Sequence, residues 1–210
     1  MSRPRKVRKD AEANRERLLA AAVSAMLREG RGVPLATIAA EAGLGIGTLY
    51  RSYPDRDALL HALEYRAYGM LNGILDKIET TEGITGLQAV GRYLEGGMDI
   101  ADQLVLPLHG APPLVTPEAV EARKSIYRRL DLFIATGRED GSVRAAINAT
   151  DIITFSALLT QPMTPALNWG HLARRHIAHF LNGVAAEGPV DVPGPPVERL
   201  GVEEAFEARA

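Results

Sequence analysis

The stretch Thr37–Leu60, TIAAEAGLGIGTLYRSYPDRDALL, decides how the rest of the chain is read. It holds two short apolar-periodic pieces, first Ile38, Ala39 and Ala42, then Ile46, Leu49, Tyr50 and Tyr53. Gly43-Leu44-Gly45 between them leaves room only for a tight turn. Two short helices joined by a glycine-containing turn form a helix-turn-helix, whose second helix can lie in a DNA major groove. Pro54-Asp55-Arg56-Asp57 then opens a new helix.

Working outward, the 210 residues are 46% hydrophobic but only 5% aromatic. Ala, Leu, Glu and Arg abound and β-branched runs are short, which favours an all-helical chain. With no cysteine, disulfides and thiolate metal sites are excluded. No apolar run reaches the roughly 18–20 residues of a membrane span, and the basic start leads into an amphipathic segment, not a signal peptide. The expectation is a soluble, cytoplasmic protein. Charge is distributed unevenly. Residues 1–60 hold eleven basic against seven acidic side chains, leaving thirteen against nineteen for residues 61–210. A basic front and acidic back favour a polyanion partner at the N-terminal end.

Residues 1–9 carry five of these basic groups without an apolar pattern, and read equally as a solvated tail or as an arm that meets phosphates. Asp10–Glu29 is expected to be a packing helix, with Leu18, Leu19, Ala22, Val23, Met26 and Leu27 on one face. The second helix starts at Val33-Pro34-Leu35, and Gly43 suits the left-handed position that ends it. In the third helix, Ile46–Tyr53, Leu49 and Tyr53 face inward. Gly45, Gly47, Thr48, Tyr50, Arg51 and Ser52 are left for the outer face or its edges. Thr48 can meet a thymine methyl, Tyr50 and Ser52 can donate to phosphates, and Arg51 can pair with phosphate or a guanine edge.

These residues resemble the DNA-binding segment of the tetracycline-repressor-like (TetR) family of bacterial regulators. Ile38, Ala39, Ala42, Gly43, Gly47, Thr48, Leu49, Tyr50 and Leu59 match its pattern outright, while Leu44, Tyr53 and Arg56 match by type. The specific likeness covers about residues 11–64. It implies an all-α protein with an N-terminal three-helix helix-turn-helix domain, residues 1–54, and a C-terminal helical ligand-binding and dimerisation domain, residues 55–187. An acidic Pro/Gly-rich tail, residues 188–210, would follow. It also implies DNA contacts from Leu35, Thr37, Gly45, Ile46, Gly47, Thr48, Tyr50, Arg51, Ser52 and Arg56. The chain departs from the pattern at Pro34, Gly45 and Ser52, where the family usually has Thr, Ser and His. Particular phosphate contacts are thereby lost, not the docking mode.

Further along, Arg56–Glu79 reads as a long helix linking the two domains. Thr80–Thr85 is a loop, and the next helix runs through Leu87, Val90, Tyr93, Leu94 and Met98. Leu104–Val115 is apolar but broken by three prolines. Thr116 is expected to cap a helix with Pro117 at its first position, Thr150 to cap the next, and Trp169–Ala186 to be the last. By family analogy, Met70, Tyr93, Met98, His109, Tyr127 and Trp169 are candidates to line a pocket for a small, largely apolar effector. The last two long helices would pair in a homodimer on an inverted-repeat DNA operator.

Rival chemistry finds little support. GLGIGTLY would need glycine at Thr48 or Tyr50 to make a dinucleotide loop, and no strand precedes it. His171, His176 and His179 share the last helix, but no carboxylate or cysteine joins them, so a solvated role is the better reading. No hydrolase, metalloprotease or P-loop motif occurs, and neither a catalytic residue, a metal nor a cofactor is implied. The reading is a ligand-responsive DNA-binding transcriptional regulator, with repression as the expected sign. Its rivals are a constitutive DNA-binding protein and a helical enzyme.

Overall fold

A computed structural model describes residues 4–105, 113–144, 146–161, 169–186, 199, 200 and 204, with backbone alone for residues 4–8. Its elements are α1 (Pro4–Glu29), α2 (Leu35–Glu41), α3 (Ile46–Ser52), α4 (Arg56–Glu79), α5 (Gly86–Asp99), a 3-10 turn (Ala101–Gln103), α6 (Pro117–Glu139), α7 (Ala149–Leu159) and α8 (Trp169–Val184). Among the described residues the extended structure is one isolated bridge, Val143 to Ala185. The fold is all-α, as the sequence predicts.

Side-chain caps account for four of the helix starts. Asp55 caps α4, accepting from Ala58 N at 2.7 Å. Thr85 and Gln88 form a reciprocal capping box at α5. Thr116 caps α6, with Pro117 at the tolerated first position. Two helix starts differ from the sequence reading. The cap of α7 is Asn148, boxed with Asp151, while Thr150 lies buried inside the helix. The Asn148-to-Asp151 spacing satisfies two backbone donors at once, where Thr150 would satisfy one. Helix α1 also begins six residues earlier than expected, at Pro4. Residues 4–9 lack apolar periodicity, but once the packed turns nucleate the helix, good helix formers extend it at little cost.

Asp55 makes the strongest local prediction. Asp55→Ala should lower stability by about 1 kcal/mol, the usual worth of an N-cap. Chemical denaturation of the full chain checks this, and an unchanged midpoint would show that the Ala58 amide is equally well served by water.

The core falls into two clusters. The first gathers Leu18, Ala22, Met26, Ile38, Ala39, Leu49, Tyr53, Leu59 and Leu63 around α1–α3 and the front of α4. The second gathers Leu71, Leu75, Val90, Tyr93, Leu94, Ile126, Leu130, Ile134, Ile152 and Ile177 from α4–α8. Helix α5 is central to this second body, packing against α4, α6, α7 and α8. Helix α4 contributes to both clusters and so joins them. The junction has a second tie: Leu104 packs in the rear cluster while its neighbour Val105 packs in the front one.

Of the expected tail, residues 199, 200 and 204 are described, all helical. The Arg199 guanidinium lies 6.0 Å from the centre of the Tyr127 ring.

Candidate nucleic-acid interface

The geometry of α3 follows from what it buries. Leu49 has no solvent exposure and Tyr53 is 7% exposed, so both anchor the helix in the front cluster. Burial of Tyr53 also pushes its phenol pKa up. Fixing Leu49 inward turns the neighbouring positions out. Gly45, Ile46, Gly47, Tyr50 and Arg51 are exposed, and Thr48 and Ser52 are half-buried. Tyr50 at 51% and Ile46 at 41% are large apolar surfaces that the fold leaves uncovered. Arg51 Nη2 donates to Thr48 Oγ1 at 3.0 Å, so two potential readers are held side by side one turn apart. On α2, Leu35 and Thr37 are half-buried.

The turn between the two helices is tight. Gly43 stands at φ +63°, in the left-handed region open to glycine. Leu44 N donates to Ala39 O at 2.9 Å and Gly43 N to Ala40 O at 2.9 Å, closing the end of α2. Pro34 and Gly45 stand at the N-caps of α2 and α3 without any side-chain capping bond. This follows directly from the loss of the usual hydroxyls.

Arg56 differs from its sequence reading. Its guanidinium donates from Nη1 to Arg31 O at 2.6 Å and from Nη2 to Val33 O at 2.5 Å. In this structure it grips the scaffold and is not held out to solvent. Arg28 is likewise occupied, bridging Glu29 and Glu41, and its hydrogen bond holds the Glu41 carboxyl below its ordinary pKa.

The six candidate pocket residues are placed differently. Tyr93 and Tyr127 lie within the rear cluster, and Met70, Met98 and Trp169 pack against it, with Trp169 Nε1 donating to Leu159 O at 2.8 Å. Burial raises the Tyr93 phenol pKa. His109 lies outside the described residues. Cavities lined by described residues occur at the junction of the two clusters. One of about 170 Å³ is bordered by Met26, Leu27, Arg31, Leu104, Thr160 and Gln161. A wider cleft of about 570 Å³ lies beside Arg66 and Gln103. His171, His176 and His179 are all exposed. Among the described residues no group of three His, Cys, Asp or Glu side chains could hold a metal ion, and no helix is long and apolar enough to cross a membrane.

Sequence reasoning missed Glu64. It sits on the buried face of α4 with no solvent exposure. Its carboxylate accepts from Tyr68 Oη at 2.8 Å and from Leu114 N at 3.0 and 3.2 Å. Arg123 Nη1 lies 3.7 Å away and donates to Leu114 O at 2.6 Å. Helix α4, the segment of chain before α6 and α6 itself are thus tied by one buried polar cluster. A signal was present: Glu64 interrupts the apolar stripe Leu60, Leu63, Ala67, Tyr68 and Leu71. A little further along α4, Arg129 of α6 reaches Asp76 at 2.8 Å and Glu79 at 2.6 Å.

Comparison with known proteins agrees with this architecture. Residues 18–63 match the model of bacterial regulatory proteins, tetR family. The HTH-type transcriptional repressor LfrR of Mycolicibacterium smegmatis is 31% identical over 84 residues, which cover 40% of this chain and 44% of that protein. The matched region therefore spans less than half of that relative's length. A TetR transcription regulatory protein from Mycobacterium vanbaalenii superimposes with a TM-score of 0.59 at 26% identity, covering 85% of this chain and 99% of that one. The structure of LfrR from Mycobacterium smegmatis in complex with proflavine gives a TM-score of 0.63 at 24% identity, covering 86% and 99%. Residues 18–63 thus match the tetR family of bacterial regulatory proteins, and the chain as a whole is similar in fold to TetR regulators of known structure.

Proposed function

We propose that this protein is a dimeric, ligand-responsive repressor that binds an inverted-repeat DNA operator through α3. The observation that carries the reading is the outward face of α3. Thr48, Tyr50 and Arg51 project from a helix whose opposite side is anchored by Leu49 and Tyr53. A two-turn helix with two small residues at its start lets the backbone approach a major groove closely. Arg51 and Thr48 then supply base-edge or phosphate contacts.

Two half-sites call for two copies of the chain. Helices α7 and α8 suit that role. They carry Ile153, Phe155, Phe180 and Leu181 half-buried on the rear core, and Leu158 70% exposed. Effector control follows from α4. A small, largely apolar molecule held in the C-terminal body shifts the rear of α4 only as far as its affinities for the two states differ. The relative LfrR, whose structure contains proflavine, supports a small-molecule effector.

The test is a mobility-shift titration, at fixed salt, with a duplex selected by the full chain from the DNA upstream of its own coding sequence. Tyr50→Ala combined with Arg51→Ala should weaken binding about 100-fold, since each good base or phosphate contact is worth about 1–3 kcal/mol. Unchanged affinity in the double variant would remove α3 as the reader.

A further inference from the structure

Two arginines in the basic front of the chain, Arg17 exposed and Arg56 half-buried, hydrogen-bond backbone carbonyls of the reading head. Arg17 of α1 donates from Nη2 to Ala42 O at 2.6 Å and to Gly43 O at 3.4 Å. These carbonyls belong to the end of α2 and to the turn that launches α3. The fit is close, since a Cβ on Gly43 would lie 2.9 Å from Arg17 Nη2. Arg56, the first residue of α4, spreads its two terminal nitrogens over Arg31 O and Val33 O, in the loop that leads into α2. One arginine therefore grips the chain just before α2 and the other grips it just after.

We propose that Arg17 and Arg56 are positioning residues that set the angle of α3 on DNA, and that neither acts by contacting phosphate. The proposal rests on the DNA-binding reading above. Its physical basis is the mismatch between small helices and the precision they must hold. Helices α2 and α3 are seven residues each, too short to be stable alone, and neither has a side-chain N-cap. Their orientation must come from outside. Leu49, Ile38 and Ala39 supply apolar anchoring on one side. Hydrogen bonds from charged donors to the flanking carbonyls add directional restraint that apolar packing lacks. At Arg56 the restraint needs a planar fork, because the two carbonyls belong to residues two apart and are met by different nitrogens. A lysine ammonium keeps the charge but cannot reproduce that fork.

Charge and geometry can therefore be separated. Full-length wild type, Arg56→Lys, Arg56→Ala, Arg17→Lys, Arg17→Ala and Arg51→Ala are titrated with one duplex, selected by the wild type from a random-sequence pool. The titrations are repeated across a salt series at a temperature where thermal unfolding shows each variant folded. A positioning role predicts that Arg56→Lys weakens binding as much as Arg56→Ala, by about tenfold, with the slope of log K against log salt kept. Arg17→Ala should behave in the same way. Arg51→Ala, as a phosphate or base contact, should flatten the slope by up to about 0.9 per protomer bound.

The proposal is overturned if Arg56→Lys binds like wild type while Arg56→Ala loses both affinity and slope, which is the pattern of a phosphate ligand. It is also overturned if all four variants are folded and bind like wild type, which would make the two arginines stabilising only. Should an Arg56 variant fail to fold, the Arg17 pair decides by the same criteria. A wild type that selects no duplex at all overturns the DNA-binding reading itself, a result distinct from either of these.

Discussion

Gly86→Ala is expected to destabilise the protein by about 3 kcal/mol, a typical upper cost for forcing extra volume into a packed site. Gly86 opens α5 and is buried. A Cβ at that position would lie 2.2 Å from Gly137 N, 2.3 Å from Phe133 O and 2.4 Å from Gly137 Cα. All three are backbone atoms of α6, so no side chain can swing aside. The two helices would have to separate, and α5 is the helix on which α4, α6, α7 and α8 all pack. A typical domain has about 5–15 kcal/mol of stability in total, so the loss is a large share. Denaturant unfolding of the full chain measures it. Gly69→Ala is the control, because Gly69 lies exposed inside α4 and a Cβ there would have open space for at least 4 Å around it. That change should stabilise by up to about 1 kcal/mol, the helix-propensity difference between glycine and alanine. Equal effects at the two glycines would rule out the close α5–α6 approach as the cause.

Glu64→Ala should cost about 3–5 kcal/mol, the usual result of removing one partner from a buried ion pair. The change strips an acceptor from the Leu114 amide and the Tyr68 hydroxyl and takes away the negative charge beside Arg123. Because the cluster joins α4 to α6 and to the chain before it, the variant should also loosen the rear of α4. Glu64→Gln keeps size and hydrogen-bonding capacity and should cost less. The pH dependence separates charge from shape. Burial is the largest influence on the Glu64 carboxyl and pushes its pKa up, while Tyr68, Leu114, Arg123 and His61 pull it down by less. A carboxyl raised in the folded state holds its proton more tightly there than in the unfolded chain. Its stabilising contribution is full below the unfolded value of about 4.3 and is lost as pH rises through the raised folded value. Glutamine does not titrate in this range. The stability of wild type relative to Glu64→Gln should therefore fall as pH is raised from about 4 through the weakly acidic range. Denaturation midpoints of both proteins across that range test the sign, and a rise would mean that the ion pair with Arg123 outweighs burial.

Much of the architecture is legible because it is written in short-range patterns. The periodicity of Ile38, Ala39 and Ala42, then of Leu49 and Tyr53, predicts two helices and their buried sides, and Leu49 and Tyr53 are buried as expected. Gly43, at φ +63°, stands where the spacing predicts the turn. Capping chemistry at Thr116-Pro117 and apolar spacing over Arg56–Glu79 predict two helix starts, and α6 and α4 begin there. Asn148 shows the limit of choosing among caps. Its box with Asp151 is present in the sequence, yet Thr150 lies nearer the first periodic residues.

The candidate site divides along the same line. Which residues of α3 face outward follows from a helical wheel once Leu49 is inside. What the arginines do does not. Arg56 binds carbonyls of residues 31 and 33, and Arg17 binds carbonyls of residues 42 and 43. To composition both are simply positive charges at the basic end. Glu64 meets Leu114 fifty residues away, and Gly86 meets Gly137 across two packed helices. Relations between residues three or four apart are enough to define a helical chain whose third helix has one face turned outward, so those properties can be read without coordinates. Which charges are free to meet a partner and which are consumed within the fold is settled by packing between distant segments, because a charge's partner is set by distances that no local pattern encodes.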